Sequence, residues 1–445
     1  MKQKYDVVVA GGGMAGVAAA VSAARQGCSV LLIEQTGALG GQGTNGNVNM
    51  VMASLQWFYG FGKELMESLI EKGHAWLIPN PAVKGFRYYP FEGEKMKLAL
   101  DEAVMESGAE LLLYTKIFGV EKEGDRITKV HLASVGGNFA VEGKVFIDTT
   151  GDAMLTFYAG EETAIGDENG NIQAPTMVAG YAGIDFDRYE AFLETYDDGK
   201  KVPKINMIHD LIPKAVEAKV VTTVDLHHPG IFRHTESASS GIMNAGHVYG
   251  ACVTEPEGMT KATLEGRKMA EEYQQFYRRY IPGFENAHVT STGAVLSLRE
   301  SRRLVGRYVT TFDDKSNYAK FDDAVMRFDG GAVSDVHASS ADPAAYKAYS
   351  DLYKDRDKVR QDDWAELPYR SLLPKNTANL LVAGRCVSAD RKVLGQIRLM
   401  SYCFMMGEVT GMAAALAVKT TDGRADSIHV RTLQEMLKEN GVLTV

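Results

Sequence analysis

Gly11, Gly13 and Gly16 are spaced G-x-G-x-x-G, and the acidic Glu34 follows about 20 residues further on. Each has its own task in capturing a dinucleotide. Gly11 makes a tight turn, Gly13 lets the backbone approach a pyrophosphate, and Gly16 lets the next helix pack closely on a sheet. Free N–H groups at the start of that helix, with Met14 and Ala15, would face the phosphates. Glu34, with Gln35 beside it, would accept a ribose hydroxyl. A second glycine-marked segment, N-L-L-V-A-G-R over Asn379–Arg385, stands at the far end of the chain. A ligand that draws on both ends must be long, so the expected cofactor is FAD rather than NAD. Flavin chemistry exchanges a hydride at N5 and often needs one acid or base to move a proton.

For that proton, and for holding an anionic group, the candidates are His337, Arg302, Tyr369 and Arg370, on segments flanking the return of the chain to the cofactor domain. Arginine there would hold an anion and support a reduced flavin, while His or Tyr would move the proton. His227, His228, His234, Arg299, Glu300 and Arg303 are further candidates, although the arginines of L-R-E-S-R-R-L pair as readily with Glu300 as with a ligand. The four cysteines, Cys28, Cys252, Cys386 and Cys403, are scattered without a C-x-x-C. That argues against a disulfide framework, a dithiol redox centre and a metal site.

Asp6–Ala10 is a short apolar run ending in glycine and predicts a buried strand, Ala18–Ala24 predicts a thin helix, and Ser29–Ile33 predicts a second strand closed by Glu34. The glycine-rich loop Thr36–Val48 follows directly, which places Gly40, Gly41, Gln42, Thr44 and Asn45 along the pyrophosphate and flavin. Next come a helix over Met96–Ser107 and strands over Ala109–Thr115, Val120–Val130 and Val141–Ile147, with a turn at Gly136-Gly137; Ile117 is counted among the cofactor contacts. The strand beginning at Val145 ends in Thr150, Gly151 and Asp152, a natural place for further dinucleotide contacts. Late in the chain, Asn379–Ala383 predicts the strand that delivers Gly384 and Arg385. The segment with Gln396, Ile397 and Arg398 then leads into a helix over about Ser401–Val418, whose N-terminus would face the flavin pyrimidine and favour negative charge there.

Four further stretches carry a resemblance: I-D-T-T-G-D at Ile147–Asp152, L-R-E-S-R-R-L-V-G at Leu298–Gly306, L-P-Y-R-S-L-L-P-K at Leu367–Lys375, and N-L-L-V-A-G-R-C-V-S-A-D at Asn379–Asp390, running on to L-G-Q-I-R-L-M at Leu394–Met400. With them the chain resembles the bacterial FAD-dependent oxidoreductase family, relatives of the glutathione-reductase and succinate-dehydrogenase type flavoproteins. The resemblance implies an α/β fold, with a Rossmann-like FAD-binding domain of glutathione-reductase type and an inserted α+β substrate or cap domain. It implies a dehydrogenase or reductase acting on a small organic substrate; the alternatives are a flavin monooxygenase or oxidase using O2, and a protein with structural FAD. Related flavoproteins end the late strand in Gly-Asp, whose acid contacts the ribityl chain; here Arg385 follows Gly384, the form this family uses. No His lies in the 36–48 loop, where related succinate-dehydrogenase flavoproteins attach flavin, so FAD is expected to be bound non-covalently.

With 445 residues the chain is too long for one core. We expect a discontinuous FAD-binding domain over 1–164 and 365–420, a cap domain over 165–364, and a tail with a short helix over 421–445. The cap is expected to hold helices over Asp187–Lys219, strands over Val220–Val224, Ile231–Phe232 and His247–Val253, and a long helix Met259–Tyr280 stopped by Pro282-Gly283. No second G-x-G-x-x-G follows a strand there, so NAD(P)H, or another electron carrier, has no Rossmann unit of its own. Composition is that of a globular protein, 45% hydrophobic and 24% charged. The net charge of -9 and the lack of a basic cluster argue against nucleic acid. No run of eighteen apolar residues occurs, and the first strand begins at once, so neither a membrane partner nor a signal peptide is expected and the location is read as cytoplasmic. Substrate identity and oligomeric state stay open.

Overall fold

The computed structural model describes residues 2–54, 56–79, 85–195, 211–222, 230–330, 334–342, 344, 347 and 363–442. Val7, Val8 and Val9 are β-branched and fully buried, as suits a strand covered on both faces. Their strand, Lys4–Ala10, pairs in parallel with Val30–Ile33 and with Gly137–Asp148. Glu110–Leu112 extends the sheet on one side. The late strand Leu380–Val382 joins the same sheet, with Leu380 opposite Phe146 and Val382 opposite Asp148. Two ends of the chain thus meet in one parallel layer. Gly137–Asp148 also continues into an antiparallel meander with Arg126–Ser134 and Lys116–Glu123. The expected single strand over Val120–Val130 is therefore two strands. Gly124, at φ 60°, turns the chain between them.

Two helices pack on this sheet, Met14–Arg25 and Met400–Thr420. An added Cβ at Gly407 would overlap the carbonyl oxygen of Ala15, and one at Gly411 would overlap that of Ala19. The contact order runs the same way on both helices, so they are parallel and both N-termini point to one end of the sheet. Met400–Thr420 is also the one helix among the described residues long and apolar enough to cross a membrane, and it is almost wholly buried inside the protein.

The second unit is a four-stranded antiparallel sheet in the order Ile231–Arg233, Ser240–Met243, Ala179–Ala182, His288–Thr292. The helix Pro256–Tyr280 covers it, burying Tyr273, Phe276 and Tyr277. The core of this unit runs from Met177 to Leu298. Val325, Met326 and Phe328 pack instead with the two parallel helices, and Leu304 packs under the parallel sheet. The packing boundary therefore falls near residue 300, well before the expected 364. His247–Val253 is not a strand; His247 makes an isolated bridge to Thr176 and the rest is turn and irregular chain. The expected strand over 220–224 and the histidines 227 and 228 lie wholly or partly outside the described residues. A three-stranded sheet of Met50–Ser54, Phe86–Pro90 and Ile78–Pro79, not expected from the sequence, bridges to the second unit through Tyr88 packed edge-on against Phe232.

Candidate active site

One cavity of about 750 Å³ starts at the fingerprint turn, passes along the 40–45 loop and the start of the late helix, and ends between the two units. Gly11, Gly13, Met14, Ala15, Glu34, Gln35, Gly40, Gly41, Gln42, Asn45, Ile117, Thr150, Gly151, Asp152, Gly384, Arg385 and Arg398 all line it.

At the first end the turn is held tightly. Gly11 has φ 97° and lies against the Thr149–Thr150 backbone, where an added Cβ would come within 2.6 Å of the Thr149 carbonyl oxygen. Thr149 Oγ1 donates toward the carbonyls of Ala10 and Gly11, each at 2.8 Å. Gly13 is different: it starts the helix at φ -67°, and an added Cβ would meet no protein atom within 4 Å. That open space adjoins the cavity, which is the place a phosphate would take. Gly16 does not line the cavity; its missing side chain makes room for the Gly11 carbonyl and Thr149 Oγ1. Glu34 accepts hydrogen bonds from the N–H of Gly12 at 2.8 Å and from Thr36 at 2.7 Å. These anchor the carboxylate at the cavity wall with lone pairs left for a ribose. Arg385 does not merely replace an acid. It pairs with Asp152 at 2.8 Å and donates to Ser301 at 3.1 Å, clamping three segments around the cavity.

At the other end sits a polar cluster drawn from five segments. Asp335 pairs with Arg398 at 3.0 Å and with His337 Nε2 at 3.2 Å. His337 Nδ1 lies 2.8 Å from His247 Nε2. Arg299 donates to Thr176 and the Ala174 carbonyl, each at 2.7 Å, and reaches Asn244 at 3.4 Å. Gly395 lets the Asp335 segment approach, since an added Cβ would meet Val336 at 2.8 Å. Burial works against the Asp335 carboxylate, but His337, Arg398 and Arg299 outweigh it and hold its pKa far below the usual carboxylate range. Burial and the Arg299 cation push His337 the other way for a base, well below 6.5, against the pull of Asp335. The two side chains form one buried pair in which His337 Nε2 faces the Asp335 carboxylate. Beyond it the wall is apolar, built by Met50, Met52, Tyr88, Phe232 and Met259.

Of the four residues expected to act on substrate, only His337 reaches the cavity. Arg302 lies on a strand paired with Thr163–Ile165 and stacks over Phe157. Tyr369 is buried in the first core with its hydroxyl donating to the Ala425 carbonyl at 2.8 Å, and burial drives its pKa far up. Arg370 pairs with Asp323 and lies over Tyr308 and Phe321. Among the expected cofactor contacts, Thr44, Gln396 and Ile397 are buried behind the cavity wall, Thr44 donating to the Leu39 carbonyl and Gln396 to Tyr402 at 3.1 Å. His234 bonds Ser240 away from the cavity, and Arg303 reaches the Gly166 carbonyl. Asp335, His247 and Asn244 were not anticipated; no local motif marks them.

The residues fit a bound dinucleotide. Gln42 Oε1 and Arg398 Nε are buried on lining residues without a partner, and the first turn of the 21-residue late helix opens on the same space. The profile described as FAD dependent oxidoreductase matches residues 6–437. The chain belongs to the FAD dependent oxidoreductase family. Its cofactor is FAD. It is similar to the digeranylgeranylglycerophospholipid reductases of Methanosarcina acetivorans, 27% identical over 43% of this chain and 49% of the relative, and of Methanosarcina mazei, 27% identical over 40% and 46%. The match thus spans about half the length of these curated relatives. Among solved structures, a geranylgeranyl bacteriochlorophyll reductase-like protein from Thermoplasma acidophilum superposes over 99% of this chain and 84% of its own, with TM-score 0.50 and 13% identity. At that identity the likeness shows the fold, a mixed α/β Rossmann-like FAD-binding architecture.

Proposed function

We propose that the protein is a flavin dehydrogenase or reductase of the glutathione-reductase structural type, and that its small organic substrate sits with an apolar body against Met50, Met52, Tyr88, Phe232 and Met259 and a polar end toward Asn244, Arg299 and Asp335. The observation that carries this reading is the continuity of one cavity from Gly13 to Asp335 and on to that apolar wall. FAD supplies hydride exchange at its N5 when bound. Gly11, Gly13, Glu34, Gln42 and Arg385 hold it, and Arg398 with the start of the late helix places positive charge at the inner end. Asp335, kept ionised by His337 and Arg398, is the charged group that orients the polar end of the substrate. The methionines make an adaptable wall. The curated relatives' named action on a digeranylgeranylglycerophospholipid is in keeping with such a wall, and an unsaturated, largely apolar substrate is the class we assign.

With a single dinucleotide fingerprint, NAD(P)H or another carrier takes its turn at the same flavin face as the substrate. The test is an anaerobic screen of NADH, NADPH and unsaturated apolar compounds by flavin bleaching or reoxidation. Parallel double-reciprocal lines are expected. A ternary complex with donor and acceptor in separate pockets overturns the shared site. Substrate-dependent reoxidation by O2, with none by any unsaturated compound, overturns the reductase reading in favour of a monooxygenase or oxidase.

A further inference from the structure

We infer that Asn244 is a specificity-determining residue: Arg299 turns its side-chain amide so that Nδ2 offers a hydrogen-bond donor to the cavity, and the group it selects is an uncharged carbonyl at the polar end of the substrate. Asn244 follows the strand Ser240–Met243, whose Ile242 lies opposite Phe232. It therefore stands where the apolar wall meets the polar cluster, and it lines the cavity between two buried neighbours, Met243 and Ala245. Arg299 Nη2 donates to its Oδ1 at 3.4 Å. A guanidinium has five N–H donors and no acceptor, whereas an amide has one accepting end and one donating end. The flipped amide would set donors against donors beside a cation. Oδ1 therefore belongs to Arg299, and the NH2 is the end left over.

Two observations make that end available. Arg299 cannot follow the amide around, because its Nη1 is fixed at 2.7 Å to both the Ala174 carbonyl and Thr176 Oγ1. The Thr176 backbone is tied in turn to Ser297, at 3.1 and 2.9 Å. Asn244 Nδ2 itself makes no hydrogen bond among the described residues, and it is not sealed inside the wall as Gln42 Oε1 and Arg398 Nε are. An open donor on a largely apolar cavity wall is what fixes the orientation of a small ligand. Its choice of partner follows from the other groups facing the same space. An ammonium would bring only donors against Asn244 and Arg299. A carboxylate would stand beside Asp335, whose charge is already matched by Arg398 at 3.0 Å and His337 at 3.2 Å. An ester or ketone oxygen accepts from Nδ2 and adds no charge beside either. That the polar end of the substrate lies here rests on the function proposed above; the direction of the amide does not.

The experiment titrates the oxidised, FAD-loaded full-length protein with three probes that share one unsaturated chain: methyl farnesoate, farnesene and farnesylamine. Perturbation of the flavin absorbance reads the affinity of each. Wild type should bind the ester at least about tenfold more tightly than the hydrocarbon or the amine. Asn244→Asp keeps the size and the acceptor for Arg299 but has no donor, so it should lose the preference for the ester and favour the amine. Asn244→Leu should hold ester and hydrocarbon alike. A merely structural role would weaken all three probes together and leave their ratios at the wild-type values. Equal binding of ester and hydrocarbon by the wild type, or an ester preference kept in both variants, overturns the inference. If Asn244→Leu does not fold, Asn244→Asp, which keeps the bond to Arg299, carries the comparison. A second readout needs no ligand: in protein carrying 15N-asparagine, the Asn244 NH2 signals, assigned by their loss in Asn244→Asp, should exchange rapidly with water. Slow exchange means a bonded amide and overturns the inference. If no probe disturbs the flavin, the unsaturated apolar class proposed above falls; rapid exchange then still supports the open donor, and slow exchange refutes it.

Discussion

Gly13 and Gly16 belong to one motif but do opposite things, and exchanging each for alanine separates cofactor binding from folding. At Gly13 the backbone already has φ -67° and ψ -179°, which alanine adopts freely, and the new methyl meets no protein atom within 4 Å. The cost to the fold is the loss of a tolerated helix-start glycine, about 0.5 kcal/mol. The same methyl stands in the cavity where the pyrophosphate must approach. Pushing a phosphate off the helix start forfeits one or two charge-assisted hydrogen bonds, about 1.5–3 kcal/mol each, or roughly tenfold to ten-thousandfold in affinity at about 1.4 kcal/mol per tenfold. At Gly16 the methyl would overlap the Gly11 carbonyl oxygen and lie 2.7 Å from Thr149 Oγ1, both parts of the rigid turn. Overpacking of that kind costs about 1–3 kcal/mol or more. The assay is thermal unfolding of the flavin-stripped proteins beside FAD titration by fluorescence quenching. Gly13→Ala should unfold with wild-type apoprotein and bind FAD weakly; Gly16→Ala should unfold early even without FAD. A destabilised apo Gly13→Ala, or one that binds FAD as tightly as wild type, would refute the reasoning.

Other consequences are as direct. Glu408 is buried on the late helix, where burial raises its pKa to about 7 even though the Phe61 N–H donates to it at 2.9 Å. An acid whose folded pKa is raised stabilises the protein below its unfolded pKa and loses that contribution as pH rises through the folded value. Stability should therefore fall from about pH 4.5 to 7 by up to about 3 kcal/mol. Glu408→Gln keeps the acceptor, and denaturant titrations across pH should show that slope gone; an unchanged slope clears Glu408 of the effect. Glu34→Ala frees the Gly12 and Thr36 N–H groups and removes the ribose acceptor, so FAD should dissociate at least about tenfold more readily on dilution. Tyr369→Phe should lower the melting temperature by removing the bond to the Ala425 carbonyl while FAD occupancy and flavin spectrum stay unchanged. Acid precipitation should release a yellow cofactor into solution; flavin remaining in the pellet would mean a covalent bond.

The fingerprint was legible because its physics is local. Strand, glycine turn, helix, strand and acid lie within residues 5–34, and each glycine answers to a neighbour in the same unit or to the adjoining Thr149. The late strand could be matched to it because both are short apolar runs ending in glycine, and they pair in parallel with the same strand, Gly137–Asp148. Boundaries between units were less legible. Residues 324–328 form a strand within the span expected for the cap, and only their packing against the late helix shows which core they belong to. Tyr369 and Arg370 stand where the chain returns to the cofactor domain, but that place does not say which side of a one-turn helix faces the ligand. Burial turned Tyr369 into the core, and Asp323 with two aromatic rings took Arg370.

The amino-acid order by itself determined the dinucleotide fingerprint and the turn that carries it, since that turn depends on backbone that glycine leaves open. The tertiary structure alone decided what faces the reacting end. His247 and His337 are 90 residues apart; Asp335 shares the His337 segment, and Arg299 and Arg398 come from two more parts of the path. No spacing rule connects them. They meet because Gly395 admits the 334–337 segment against the short helix before the late helix, and because a buried carboxylate requires the cations and the imidazole that close around it.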